Sequence, residues 1–396
     1  MAKERIGILG GAFDPIHQGH IQLALSVVDA IRLDQMLIMP GGNPAYKSCL
    51  TLPEDRWKMT VAACAQDGRL IPSRLEMDHK GAVYTIDTLL ALKKAHPRAE
   101  LYYVMGADAL MKLRNWRRAE EVYPLCIFLV CSRSDLVDSK SLKEEKKILK
   151  NLGARVRLID VEPVPVSSTR IREALSLGLP TPELNPAVQE FCACKGLYGA
   201  PGQLERADLW LDRLFQTLNP HRFAHTLSVS WLAGRLAEKH GLSVVRARQA
   251  GLLHDCAKCY PLKEMQRIAR ENHLTEDPAF LSSGALLHSL VGAWVAEHLY
   301  GMEDREVLDA IAFHNTGHAG MSRLAMCVCL SDSIEPTREA YPLLEEIRAV
   351  AETSLEKALL FSLESTAGFV TSRGLFLHPR TRDTIAWLKT LPAVRE

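Results

Sequence analysis

The chain has 396 residues, of which 47% are hydrophobic and 24% charged, and its formal net charge is +1 at pH 7. This length and composition predict a soluble globular protein with two domains. The small charge gives no electrostatic reason to expect a nucleic-acid or membrane partner, and no apolar run approaches the ~20 residues of a membrane-spanning helix. A strand signal follows directly on the first residues without a signal peptide, so we expect a cytoplasmic protein.

Strand and helix signals alternate through the first 200 residues, which predicts an α/β domain with a doubly wound parallel sheet of the Rossmann type. The strands are predicted from short apolar runs at residues 5–9, 36–40, 101–105, 126–131 and 156–159. In such sheets, ligands bind beyond the carboxyl ends of the strands.

Residues 10–20 form the most informative motif of this half. They lie between the first strand and a predicted helix, and Gly10 and Gly11 allow the main chain to approach an anion there. His17 and His20 are three residues apart, so we expect both rings on one side of the first helical turn. Two imidazoles beside the free N–H groups of a helix suit the charge that develops on a transferring phosphoryl group.

Further polar residues follow other predicted strands. Lys47, in the loop after the second strand, could reach a substrate phosphate, or it could simply be solvated. Asp108 follows the strand at 101–105, and Trp116 offers an aromatic face for a flat ring unless it only packs the sheet edge. A second anion site is predicted at residues 166–172, where hydroxyl groups and Arg172 meet a helix N-terminus.

These motifs resemble the HxGH nucleotidyltransferase superfamily and, over residues 5–198, bacterial nicotinate-nucleotide adenylyltransferases. The resemblance implies transfer of AMP from ATP to nicotinate mononucleotide, with Mg²⁺, giving deamido-NAD and pyrophosphate. It implies catalytic roles for His17, His20 and Arg172. The residues implied to bind ATP are Gly10, Gly11, Phe13, His17, His20, Ser168, Thr169 and Arg172. Those implied to bind the acceptor substrate are Lys47, Thr85, Asp108 and Trp116.

One position departs from the family pattern, because Tyr46 stands where these enzymes usually have a histidine. An alternative is another HxGH adenylyltransferase, one that forms dephospho-coenzyme A. Residues 84–88 and Trp116 favour the pyridine nucleotide.

A Gly/Pro-rich stretch at residues 199–203 predicts a boundary between domains at 1–200 and 204–396. Strand signals then disappear, which predicts an all-α second domain. Ten of the 14 histidines lie beyond Gln203.

Six polar residues of this half lie on otherwise apolar helical faces: His225, His254, Asp255, His288, His314 and Asp332. Burying such groups without partners is costly, and a shared metal held from several helices is an economical partner. The mixture of imidazoles and carboxylates suits iron, manganese or zinc. We expect His240, His273, His298 and His378 at the surface.

This set resembles the HD-domain phosphohydrolases and, more narrowly, their YqeK-like branch over residues 204–340. The resemblance implies symmetrical hydrolysis of diadenosine tetraphosphate to two ADP at a two-metal centre, for which we expect iron. It implies that the six residues are ligands, that Asp255 bridges the metals, and that Lys258 and Arg338 contact phosphate. Asn315 and His318 depart from the branch, which has threonine and arginine there.

The sequence therefore predicts a bifunctional enzyme that acts on small nucleotides. For the second domain, a nuclease or deoxynucleotide hydrolase and a non-catalytic nucleotide-sensing module remain as alternatives. No repeat, low-complexity run or basic stripe favours a nucleic-acid partner.

Overall fold

The computed structural model describes residues 3–42, 51–79, 81–132, 140–161 and 164–395. The chain forms two compact units, one made of residues 1–188 with 197–199 and the other of residues 189–196 with 200–396. Within the described residues, no helix is both long and apolar enough to cross a bilayer.

A parallel sheet is the centre of the first unit. Its described strands are β1 (Arg5–Gly11), β2 (Gln35–Pro40), β3 (Leu70–Pro72), β4 (Glu100–Gly106), β5 (Ile127–Ser132) and β6 (Arg155–Asp160). They lie in the order β3-β2-β1-β4-β5-β6, and every pairing is parallel. This is the order of doubly wound nucleotide-binding sheets, so the predicted fold class is confirmed. The three-residue edge strand β3 was not predicted, because it is too short for an apolar run to identify it.

The helices of this unit follow the strands along the chain. They are α1 (Gln18–Ile31), α2 (Pro53–Cys64), α3 (Thr85–Ala95), α4 (Ala107–Leu110), α5 (Ala119–Val122), α6 (Lys140–Asn151) and α7 (Ser168–Ser176). Buried apolar side chains such as Ile8, Leu101 and Phe128 form the core on the sheet. The strand order reverses between β1 and β4, and the carboxyl ends of these two strands carry the residues 10–20 turn and Asp108. Ligands of this fold class bind at that position.

Helix α8 (Pro186–Lys195) begins in the first unit and ends in the second. The second unit continues with α9 (Ala207–Thr217), α10 (Pro220–Lys239), α11 (Val244–Leu253), α12 (Leu262–Glu271), α13 (Pro278–Ser282), α14 (Gly284–Tyr300), α15 (Arg305–Phe313) and α16 (Arg323–Ile334). It ends with α17 (Leu344–Ala351), α18 (Leu355–Ser372), α19 (Pro379–Leu388) and α20 (Pro392–Arg395). No strand occurs among the described residues of this unit, as predicted for an all-α domain.

Close packing between α10 and α11 depends on Gly251. A Cβ atom at this position would lie 2.8 Å from the Ser230 Cα, so any larger residue would push the two helices apart. The rings of His225 on α10 and His254, directly after α11, have centroids 5.3 Å apart. The helix contact therefore brings two of the predicted metal ligands together.

The domain limits predicted at residues 200 and 204 stay a prediction. Tyr198 donates from its hydroxyl to Asp14 Oδ1 at 2.7 Å, within the first unit. Glu190, in contrast, lies in the second unit, where its Oε1 accepts a 2.9 Å hydrogen bond from Arg248 Nε.

Candidate functional sites

The two histidines of the residues 10–20 motif stack at the start of α1. We expected both histidines on the first turn of the helix, but His17 is the residue just before α1. The main-chain N–H of His17 donates to His20 Nδ1 at 3.2 Å. The ring centroids are 3.7 Å apart, and the Phe13 ring meets His20 edge-on at 4.9 Å. Gly19 makes this possible, because a Cβ atom there would lie 3.1 Å from the His17 ring and 2.7 Å from Val166.

His17 is a neutral hydrogen-bonding group at neutral pH. The residue is 6% exposed, and burial lowers its pKa to about 4. Its Nδ1 is a buried atom without a hydrogen-bond partner in the structure. Such an atom is costly to leave unsatisfied, so the site is suited to a ligand that supplies the missing partner.

The second predicted anion site meets the first. Ser168 donates from its hydroxyl to the Pro15 carbonyl at 3.0 Å, and Arg172 donates from Nη1 to the Asp14 carbonyl at 2.8 Å. Arg172 Nη2 also lies 3.3 Å from Thr169 Oγ1. The N-terminus of α7 therefore adjoins the turn before α1, and two predicted anion sites form one region.

Arg56 is a buried residue of this region that the sequence did not single out. Its side chain has no exposed surface, and its guanidinium donates to three main-chain oxygens at the strand ends: Ala12 at 2.8 Å, Gly41 at 2.7 Å and Gly42 at 2.8 Å. One cation thus joins the segments that follow β1 and β2. A charged residue within a polar helix sequence usually indicates a solvated face, so no sequence signal pointed to this role.

The predicted acceptor-site residues lie at several places in the first unit. Thr85 begins α3, and the exposed Asp108 follows β4. Trp116 is partly buried and meets Tyr103 edge-on at 5.7 Å, so it packs on the sheet as well as reaching solvent. Lys47 and the departing Tyr46 lie outside the described residues. That these side chains share one substrate pocket stays a prediction.

In the second unit, the structure brings the six predicted metal ligands together. Nε2 of His225, Nε2 of His254 and Oδ1 of Asp332 form a first group, with His225 3.0 Å and His254 3.8 Å from Asp332 Oδ1. A second set close enough to hold a metal consists of His254, Asp255 and His314. His288 adjoins this set, with its Nε2 3.0 Å from His314 Nε2, and we call His288 and His314 the second group.

Asp255 lies between the two groups and turns one oxygen toward each. Its Oδ2 is 3.5 Å from His254 Nε2 and 3.9 Å from His225 Nε2. Its Oδ1 is 3.2 Å from His288 Nε2 and 3.8 Å from His314 Nε2. A carboxylate in this position can bridge two cations.

The chemistry of these groups fits a divalent metal. His254 Nε2 is a buried atom without a hydrogen-bond partner, whereas His225 Nε2 faces Asp332 Oδ1 at 3.0 Å and Asp255 Oδ1 faces His288 Nε2 at 3.2 Å. His254 and His314 each turn Nδ1 to a main-chain oxygen at 2.7 Å, that of Gly251 and that of Ile311. Because a carbonyl only accepts, these Nδ1 atoms carry the hydrogen, and the lone pair of each Nε2 faces the cluster.

Electrostatics keeps the carboxylates ionised. Burial opposes ionisation of Asp255 and Asp332, but the neighbouring histidines and cations outweigh it, so the pKa of each carboxyl lies well below its ordinary value. Burial, with His254 and His288 adding to it, lowers the pKa of His314 to about 3. Burial opposes protonation of His225, but hydrogen bonds to Asp332 and Glu335 outweigh it and raise the pKa of this imidazole. The cluster therefore combines anionic carboxylates with the neutral imidazole of His314, and a metal bound at His225 would displace any proton on Nε2.

Three cationic side chains line the solvent side of the cluster. Arg222 donates to Asp255 Oδ2 at 2.7 Å, Arg338 donates to Asp332 Oδ1 at 2.5 Å, and Lys258 Nζ lies 3.1 Å from His288 Nε2. Their side chains are 28%, 37% and 31% exposed. Arg222 belongs to the same sequence motif as His225, but its place at the cluster was not predicted.

Two departures from the branch pattern have different surroundings. Asn315 donates from Nδ2 to the Ala285 carbonyl at 2.5 Å, so it links the segment after His314 to the helix that carries His288. His318 is exposed and stacks on Phe313 with centroids 4.6 Å apart.

The expectation of surface positions was wrong for His378. His273 and His298 are exposed and His240 is partly so, whereas His378 is only 5% exposed. Its ring packs on Phe280, and its Nε2 lies 3.1 Å from Asp277 Oδ2. These partners are about 100 residues away, so local sequence gave no sign of them.

Comparison with known proteins agrees with this division of the chain. Residues 8–174 match the cytidylyltransferase-like family model, and residues 222–337 match the HD domain model. A protein of Mycoplasma genitalium, named "probable nicotinate-nucleotide adenylyltransferase/Ap4A hydrolase", is 28% identical over 376 residues. The match covers 93% of this chain and 99% of that relative.

Other relatives match one half each. A "probable nicotinate-nucleotide adenylyltransferase" of Corynebacterium kroppenstedtii is 37% identical over 209 residues, or 52% of this chain and 96% of the relative. The solved structure of a "predicted HD superfamily hydrolase involved in NAD metabolism" from Clostridium acetobutylicum is 36% identical. It covers 47% of this chain and 98% of its own, with a TM-score of 0.46. Through its first half the chain belongs to the nicotinate-nucleotide adenylyltransferase family, and its second half contains an HD domain.

Proposed function

We propose that the chain is a bifunctional enzyme. Its first unit transfers AMP from ATP to nicotinate mononucleotide, giving deamido-NAD and pyrophosphate in NAD biosynthesis. Its second unit hydrolyses diadenosine tetraphosphate symmetrically to two ADP. The observation that carries the proposal is the end-to-end match to a relative named for both activities, at 99% of that relative's length.

For the transferase, the geometry supports direct attack of the acceptor phosphate on the α-phosphorus of ATP. No enzyme nucleophile is needed, because the protein only has to align the groups and stabilise charge. The neutral His17, with His20 stacked on it, donates to phosphate oxygens at the N-terminus of α1. Ser168, Thr169 and Arg172 hold the nucleotide from the adjoining α7 terminus. We propose Mg²⁺ as the ion that accompanies ATP.

For the hydrolase, Asp255 supplies the arrangement on which the proposal depends. One oxygen faces His225 and His254, and the other faces His288 and His314, so the carboxylate would help to hold a divalent ion on each side. When bound, two divalent ions activate a water and neutralise charge on the leaving oxygen. We propose iron, with manganese or zinc as alternatives.

The cationic rim binds the phosphate chain of the substrate. Lys258 and Arg338 have this role in the proposal, and Arg222 joins them because it lies at the same carboxylates and is partly exposed. A non-catalytic sensing module would not require two groups of metal-binding side chains around one bridging carboxylate. A cytoplasmic location remains our expectation from the sequence.

A comparison of two acceptor substrates, with ATP as the donor, tests the transferase assignment. The purified full-length protein should convert nicotinate mononucleotide and ATP to deamido-NAD and pyrophosphate. With the phosphopantetheine acceptor of dephospho-coenzyme A synthesis, the rate should be far lower. A preference for the second acceptor would favour the alternative transferase.

A further inference from the structure

Glu335 is a buried carboxylate directly beside a predicted metal ligand. It follows the last residue of α16, is 1% exposed, and its Oε1 lies 3.2 Å from His225 Nδ1. Thr337 holds this carboxylate in place. The Thr337 hydroxyl donates to Oε1 at 2.6 Å, and the Thr337 main-chain N–H donates to Oε2 at 2.7 Å.

His225 differs in this respect from two other histidines of the cluster. His254 and His314 turn Nδ1 to a carbonyl oxygen three residues earlier in the chain, so their orientation follows from their own helices. The Nδ1 partner of His225 is instead a side chain from 110 residues further on. The orientation of the His225 ring and the position of its hydrogen therefore depend on the Glu335 side chain, which a substitution can change.

The contact has a chemical consequence at the other nitrogen. A carboxylate accepts a hydrogen bond, so it favours the tautomer of His225 with the hydrogen on Nδ1 and the lone pair on Nε2. Nε2 is the atom that lies 3.0 Å from Asp332 Oδ1 in the first group. A carboxylate behind an imidazole also makes the opposite nitrogen a stronger electron donor.

We propose that Glu335 is a positioning residue for the first metal position, where it fixes the tautomer and donor strength of His225 without being a ligand itself. This inference rests on the metal centre proposed above. Because the Glu335 carboxylate pairs with His225, replacing it should affect the metal at His225, His254 and Asp332 and spare the metal at His288 and His314.

The test measures metal binding by the full-length chain. Metal-depleted wild type, Glu335→Gln and Thr337→Val are titrated with Co²⁺ against a chelating indicator, and the visible spectrum of each bound Co²⁺ is recorded. Glu271→Gln is the matched control, because Glu271 is 55% exposed and pairs with Arg267, which is also 55% exposed. The unfolding midpoint of each metal-free protein and its AMP-transfer rate report on folding.

We expect wild type to bind two Co²⁺. In Glu335→Gln, the affinity for one of them should fall by roughly 10–100-fold, with an altered spectrum, while the other Co²⁺ binds as in wild type. Thr337→Val should show a smaller loss at the same position, and Glu271→Gln should show none. Unfolding midpoints and transfer rates should match wild type.

Two results would overturn the proposal. One is wild-type affinity at both positions in Glu335→Gln. The other is equal loss at both positions with a lower unfolding midpoint, which would indicate a purely structural role. If Glu335→Gln does not fold, Thr337→Val decides, and wild-type Co²⁺ affinity there counts against Glu335. A wild-type chain that binds no stoichiometric Co²⁺ would instead contradict the metal centre itself.

Discussion

The hydroxyl of Ser168 donates to the main-chain oxygen of Pro15 at 3.0 Å, although 153 residues separate the two in the chain. This bond places the N-terminus of α7 against the turn before α1. The positive ends of two helix dipoles thus meet in one region, which can hold a polyphosphate from two sides.

His20 should contribute mainly to the rate of AMP transfer. Its ring stacks on His17, so a donor fixed at this place stabilises the transition state more than the bound substrate. We expect His20→Ala to lower kcat by roughly 10²-fold or more, with a smaller change in the KM for ATP. Steady-state kinetics with nicotinate mononucleotide measures this, and the exposed His79→Ala is the control. An unchanged kcat would remove His20 from the catalytic residues.

His17 should make the first unit less stable in acid. Its pKa is about 4 in the folded protein and 6.5 when unperturbed, so between these values the unfolded chain takes up a proton that the folded protein does not. The contribution to stability is complete above pH 6.5, falls as the pH is lowered toward 4, and changes no further below that. By pH 4 the loss is about 3 kcal/mol, at ~1.4 kcal/mol per pKa unit.

Hydrogen exchange of β1 and β4, compared between wild type and His17→Gln at each pH, measures this effect. Relative to the variant, wild type should lose protection between pH 6.5 and 4. A difference that does not vary with pH would show that His17 is not the buried neutral group described here.

Arg56 should support both stability and transfer. Arg56→Met leaves the carbonyls of Ala12, Gly41 and Gly42 without their shared donor, and buried unsatisfied groups cost ~1–3 kcal/mol each. We expect a loss of roughly 3 kcal/mol or more in unfolding free energy. Arg56→Lys keeps the charge but not the fork of donors, so it should fold better while transfer remains slow.

Denaturant unfolding and transfer kinetics check these two variants. Arg69→Met is a suitable control, because Arg69 is 43% exposed and its ion pairs are at the surface, where they contribute at most ~1 kcal/mol. A wild-type rate of AMP transfer in Arg56→Met would show that transfer does not depend on Arg56 joining the segments that follow β1 and β2.

The boundary of the second unit can be tested with fragments. Glu190 and Arg248 form a buried ion pair at 2.9 Å, and Ser230 also donates to Glu190 at 2.6 Å. A fragment of residues 204–396 leaves Arg248 without its carboxylate, which typically costs ~3–5 kcal/mol. Residues 186–396 should therefore unfold at a clearly higher temperature, and Glu190→Gln in the longer fragment should remove most of the difference. Equal unfolding temperatures would favour the boundary predicted from sequence.

Strands and clusters of polar residues could be predicted where they depend on the local order of apolar and polar residues. Apolar runs identified five of the strands, and polar residues on apolar helical faces identified His225, His254, Asp255, His288, His314 and Asp332, which the structure brings together. Their roles as ligands stay a prediction.

Residues whose surroundings come from distant segments could not be predicted in this way. Arg56 and Glu335 look like ordinary solvated charges in the sequence, yet each is at most 1% exposed. His378 was expected at the surface and is buried by Phe280, a residue of another helix. Tertiary packing decides whether such groups are buried, and the spacing of apolar residues along the sequence does not reveal it.

We propose that one chain carries two separate activities and that the second depends on Asp255. The most direct test incubates metal-loaded wild type and Asp255→Ala with diadenosine tetraphosphate and separates the products by chromatography. We predict ADP as the only product of wild type, no hydrolysis by Asp255→Ala, and the same AMP-transfer rate in both proteins. Equal amounts of AMP and ATP from wild type, or hydrolysis that persists in Asp255→Ala, would contradict this account.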